Sequence, residues 1–207
     1  MRNYRKPAVI FLIGISSGIV CRLSDLFPYE SLWSLSSIAT LFGFWIASVS
    51  VIAMYSTSHK AAFVNTFLYL FGMTLAFYAL KYLLGLFAPQ FDNDGAFQTK
   101  LFLVYTGLSL LCGLGSFALY FWNDARWYSS ILCALPVGAL LAEGIACGIV
   151  LMTRHMLLGQ TMFDLMATAY FCVVMGKRAQ KKFVFLGTLI VVTAIVFHVV
   201  YQNWVTF

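Results

Sequence analysis

Long apolar runs follow one another along almost the whole chain, with only short polar connectors between them. Crossing a bilayer takes roughly 20 apolar residues in helical form. Runs of that kind occupy 7–24, 31–57, 60–88, 98–122, 126–152, 155–176 and 183–206. Hydrophobic residues make up 62% of the 207, and charged residues only 10%. Soluble domains average about a quarter charged residues. A chain this short also has too much surface for its volume to keep so many apolar side chains from water. Lipid is therefore the expected solvent. The pattern predicts an all-α, polytopic membrane protein, one bundle domain over residues 1–207 with seven transmembrane helices.

Charge sets the expected orientation. The net charge is +6, but the basic residues sit at the ends of apolar runs, as in "MRNYRK" and "KRAQKK". That placement suits anionic lipid headgroups and not nucleic acid. Seven crossings put Arg2, Arg5, Lys6, Lys60, Arg126, Lys177, Arg178, Lys181 and Lys182 on one side, and Arg22, Lys81, Lys100 and Arg154 on the other. The positive-inside rule then places the N-terminus in the cytoplasm and the C-terminus outside. The loop acids Asp25, Glu30, Asp92 and Asp94 fall on the outer side. No small-x-small cleavage pattern follows the first run, which reads as a retained anchor. The expected location is a plasma membrane of the bacterial inner-membrane kind.

Several features read as packing alone. Ser36, Thr40, Gly43, Ala47 and Ser50 recur at helical spacing in the second run, and Gly14 and Gly18 make a GxxxG in the first. Small residues on one face let helix backbones approach closely. Trp33, Trp122, Trp127 and Trp204 lie near run ends, where an aromatic belt forms. Five cysteines show no CxxC and no metal-type spacing, so they read as small packing residues.

A few ionisable residues do not fit an inert bundle. With a turn near 153–155, Glu143 and Asp164 both lie about 15 Å below it on antiparallel neighbours. The same count puts Lys81 roughly 10 Å and His198 about 12 Å from the outer ends of their spans. Ionisable groups at such depth cost about 2.5 to 3.5 kcal/mol each on insertion scales and tend to face one another or a wet cavity. The expectation is a polar pocket opening outward, lined by Lys81, Glu143, Asp164 and His198. Arg22 and Asp25 stand above it, Tyr78 lies three residues before Lys81, and Thr161 and Thr168 flank Asp164. Pro136 could kink the helix that carries Glu143. Structural ion pairs of Glu143 with Lys81, or Asp164 with Arg154, are the plainer alternative.

Buried acids facing a base suit binding or transport of a small polar or zwitterionic solute. A second class is an intramembrane enzyme using the carboxylate pair on a lipid-linked substrate. A third is an accessory protein acting through a membrane partner. No HExxH, HxxxH or GxSxG is present, and the histidines are His59, His155 and His198, so neither a metal nor a cofactor is expected. In length and hydropathy the chain resembles the substrate-binding subunits of energy-coupling-factor transporters. Those have six spans against the seven read here, and no motif is shared.

Overall fold

The computed structural model of the protein describes residues 7–87 and 97–202. Arg2, Arg5, Lys6, Asp92, Asp94 and Trp204, used above for orientation and for the aromatic belt, lie outside the described residues. The rest is helical, with no strand among the described residues. In order come α1 (Pro7–Ser24), α2 (Ser37–Thr40), α3 (Gly43–Tyr55), α4 (His59–Phe87) and α5 (Thr99–Leu119). A 3-10 turn (Tyr120–Asn123) leads to α6 (Tyr128–Arg154), α7 (Leu158–Arg178) and α8 (Lys182–Val196). A π-helical turn, Phe197–Tyr201, continues α8. Six helices are long and apolar enough to cross a membrane: α1, α4, α5 with its 3-10 extension, α6, α7, and α8 with its π turn.

The second apolar run departs from expectation. It is not one continuous helix over 31–57. It begins with turns, forms only α2, breaks at Leu41 and Phe42, and resumes as the 13-residue α3. Leu41 is extended, with φ −90° and ψ 161°. Its side chain packs against Cys147, Val150 and Leu157, which holds the chain out of helical register. The small-residue stripe through Ser36, Thr40 and Gly43 is thereby interrupted, and Gly43 becomes the first residue of α3.

The chain forms two compact units, Met1–Leu26 with Ile52–Ala118, and Phe27–Val51 with Leu119–Phe207; it passes between them after Leu26, inside α3 and at the end of α5. In the first unit α1 packs along α4. A Cβ on Gly14 would strike the backbone of Tyr69, and one on Gly18 the backbone of Met73. Arg22 lies over the ring of Phe77. The partners advance together from Tyr69 to Met73 to Phe77, so α1 and α4 run parallel. Thr66 on α4 donates to the Ser116 hydroxyl on α5, which donates to the Ala62 carbonyl.

In the second unit α6 is the central helix, packed against both α7 and α8. It meets α7 antiparallel, with Gly144 against Asp164 and Gly148 against Thr161. It meets α8 parallel: Ser130 accepts from the Lys181 amide, Gly138 accepts from Thr193, and Ala142 and Ala146 pack on Tyr201. The turn between α6 and α7 is tied to the segment before α2. Leu157 N–H donates to Ser34 Oγ at 3.2 Å, and Leu158 N–H to the Leu32 carbonyl at 2.9 Å. Ser34, His155 and Leu157 all have left-handed backbone, with φ of 42°, 55° and 66°. Such conformations persist only where the surroundings enforce them.

Replacing Gly14 or Gly18 with alanine forces α1 away from the α4 backbone, and overpacking of this kind typically costs about 1–3 kcal/mol. Gly107 and Gly115 on α5 have open space where a Cβ would sit. Alanine there should leave stability unchanged or raise it by up to about 1 kcal/mol. Thermal unfolding of the four variants in one detergent separates the two outcomes.

Candidate functional site

The break between α2 and α3 creates the site. A helix start leaves backbone N–H groups without intrahelical acceptors. Here the Gly43 N–H donates to Glu143 Oε1 at 2.7 Å, and the Phe42 amide is directed at the same carboxylate. Glu143, from the middle of α6, thus caps a helix a hundred residues away in sequence. The N-terminal end of a helix carries about half a positive charge, so the capping acid receives electrostatic as well as hydrogen-bond support.

Gln160 and Tyr201 complete the shell. Gln160 Nε2 donates to Glu143 Oε1 at 3.1 Å and to Asp164 Oδ1 at 2.9 Å, so one amide nitrogen bridges both acids. Asp164 is one helical turn beyond Gln160 on α7, and their side chains share a face. The Tyr201 hydroxyl donates to Glu143 Oε2. The Cys147 thiol, one turn beyond Glu143 on α6, stands beside Asp164. Glu143, Gln160 and Asp164 are each 0% exposed. A Cβ on Gly43 would fall onto Asp164 Oδ1, Gln160 Nε2 and Glu143 Oε1, so the three groups are packed against bare backbone.

Two acceptors in this shell, Asp164 Oδ2 and Gln160 Oε1, are buried and have no nitrogen or oxygen donor among the described residues. No basic side chain contacts either acid among the described residues. Chemically, the cluster is a carboxylate fully served by donors beside a second carboxyl group that is not. Such a pair attracts a positively charged species or a proton.

The structure distributes the expected site residues as follows. Glu143 and Asp164 come together, and they are enclosed instead of lining an open pocket. Asp164 forms no ion pair with Arg154, which is exposed at the end of α6. His198 is exposed on the π turn, and Tyr201, on the inward side of the same turn, meets Glu143 in its place. Lys81, Tyr78, Arg22 and Asp25 belong to the first unit. There Arg22 is buried and ion-paired with Asp25. Tyr78 is buried among Phe77, Phe97, Phe102 and Tyr105, and Lys81 is half-buried. Thr161 is buried and donates to the Leu157 carbonyl, while Thr168 Oγ1 has no partner. Pro136 lies within α6, two turns before Glu143.

Sequence reasoning missed Gln160, Tyr201, Cys147 and the Gly43 amide. Gln160 left a readable trace, being an amide one turn before Asp164 in an apolar run. Tyr201 left none, because helical spacing gives no sign of the π turn that aims it. Among the described residues no three of His, Cys, Asp and Glu are grouped to hold a metal. No family model, curated protein or solved structure matches the chain, so the site is read from its own geometry.

Removing the Tyr201 hydroxyl strands Glu143 Oε2 in a buried site, where an unmet acceptor costs about 1–3 kcal/mol. Tyr201→Phe should lower thermal stability by that order. In a Glu143→Gln background the same change should cost less, and the cycle should give a coupling of about 0.5–3 kcal/mol. Additive losses would mean that the two groups do not interact.

Proposed function

We propose that this is a multi-pass membrane protein that carries a small positively charged or zwitterionic solute, or an ion, across the bilayer, with the Glu143–Asp164 pair as its working centre. The observation that carries this reading is a pair of fully buried acids with no basic partner, set at the start of a broken helix. A structural pair would be expected to bring its own countercharge, since an uncompensated buried charge is strongly destabilising. Ionisable residues within membrane spans mark solute and ion paths. Discontinuous helices, whose termini present free backbone groups, are a recurrent way of building such sites at membrane depth. The enclosure of both acids favours a small occupant over a lipid-linked substrate.

The parallel packing of α1 and α4 supports seven crossings. Two parallel spans need the chain between them to return across the membrane, and 31–57 is the apolar run between them in sequence. With seven crossings the count of basic residues puts the N-terminus inside and the C-terminus outside, in a plasma membrane.

Glu143→Gln and Asp164→Asn are expected to purify as folded protein, and each to abolish solute-dependent uptake or counterflow in proteoliposomes. Unchanged flux in both variants would overturn the transport reading. For topology, cysteines placed at Thr57 and at Pro28 should label from opposite sides of sealed vesicles. Labelling from the same side would remove the return crossing.

A further inference from the structure

Resting on the reading of the acid pair as the working centre, we infer that its ligand is a single proton, carried by Asp164 while Glu143 stays anionic. The two carboxyl groups differ in what surrounds them. Glu143 Oε1 faces the N–H groups of Gly43 and Gln160, which can only donate. Its Oε2 receives the Tyr201 hydroxyl. A proton on Glu143 would sit best on Oε2, where it would require the Tyr201 hydroxyl to turn from donor to acceptor.

Asp164 is the opposite case. Its Oδ1 takes a hydrogen bond from Gln160, the Cys147 thiol is within hydrogen-bond reach of the carboxyl group, and Oδ2 is buried with no nitrogen or oxygen donor among the described residues. The groups facing it are Glu143 and Cys147 from α6, Gln160 from α7 itself, and, through Glu143, Tyr201 from the turn that ends α8. The start of α3 contributes backbone and no titratable side chain. None of these is a cation. A second negative charge beside an anionic Glu143 is disfavoured by like-charge repulsion in low dielectric. Forming one O–H bond at Oδ2, with a proton taken from water, neutralises Asp164 and turns an unmet acceptor into a donor.

Size points the same way. A methyl group on Gly43 would not fit among Asp164, Gln160 and Glu143. A hydrated cation or an organic ammonium group needs far more space than that, whereas a proton needs none. The second orphan, Gln160 Oε1, is an acceptor on the residue that bridges the pair, and it is also buried. A bridging glutamine with an unused acceptor can receive a hydrogen bond from a newly made hydroxyl, and loses that bond when the proton leaves. The geometry thus links proton occupancy to the residue that holds the two helices together.

The test is infrared spectroscopy of the full chain in lipid nanodiscs at neutral pH, stepped to alkaline pH. We expect one carboxylic C=O band at neutral pH, shifted when aspartate carries a carbon-13 side-chain label and unmoved when glutamate does. The band should vanish on alkalinisation with release of about one more proton per chain than Asp164→Asn releases, whether sodium, potassium or choline is the counterion. Asp164→Asn should lack it, and in Glu143→Gln, where the like-charge repulsion is gone, it should vanish at a lower pH than in the native chain; the isotope labels decide the assignment in the native chain should either variant not fold. A neutral-pH spectrum with no such band, or a band that follows the glutamate label, overturns the inference. Absence of the band together with thermal stabilisation by sodium or potassium would show a metal cation at the pair, overturning the proton while sparing the working centre. A band assigned to Asp164 with transport unaltered in Asp164→Asn would uphold the proton and sink the transport reading instead.

Discussion

The second unit depends on one interaction, the capture of a helix start by a buried acid. Glu143 cannot be ionised in a low-dielectric interior unless donors surround it, and the amides of α3 supply the most rigid of them. The first N–H groups of α3, in turn, have no intrahelical acceptor. Each side of the contact satisfies a need created by the other. The break at Leu41 and Phe42 is therefore part of the same construction as the acid. A continuous helix would use those amides internally and leave Glu143 without its main partners.

Around this contact the remaining helices act as supports. The antiparallel pair α6–α7 brings Gln160 and Asp164 to the level of Glu143, and the parallel pair α6–α8 delivers Tyr201. Small residues set the distances. Gly144 lets α7 approach until Asp164 overlies α6, and Gly43 lets three polar side chains reach the backbone. Ser34 and Leu157, held in left-handed conformation, fasten the segment before α2 to the α6–α7 turn. The ends of the two elements that meet at the acid are thus also joined near their loops.

How much of this could be read from the residues alone follows from which forces leave a periodic trace. The apolar runs announced the helices: six of them, among the described residues, are long and apolar enough to cross a membrane. The separation of Glu143 and Asp164 about a short turn announced their meeting, because helix rise and antiparallel packing fix it. The break in 31–57 was hidden: it contains no proline, and "TLFGFW" is as apolar as a helix interior. Its cause is a partner a hundred residues away, which no local pattern encodes. Tyr201 went unread for a related reason: spacing on a regular helix could not reveal a wider turn. Lys81 and Tyr78 lie at reasonable depths, but depth says nothing about which of two compact units a span joins.

The π turn that ends α8 has a consequence of its own. Regular α-helix advances by about 100° per residue, and a single turn of π-helix holds one extra residue within that rotation. The phenol of Tyr201 is therefore aimed by residue count as much as by side-chain choice. Adding one residue between 197 and 200, or letting the present residues relax to ordinary helix with none removed, would swing the ring away from the acid, with the composition of the span almost untouched. In this segment, length is itself a determinant of chemistry, and an insertion would be felt more keenly than most substitutions.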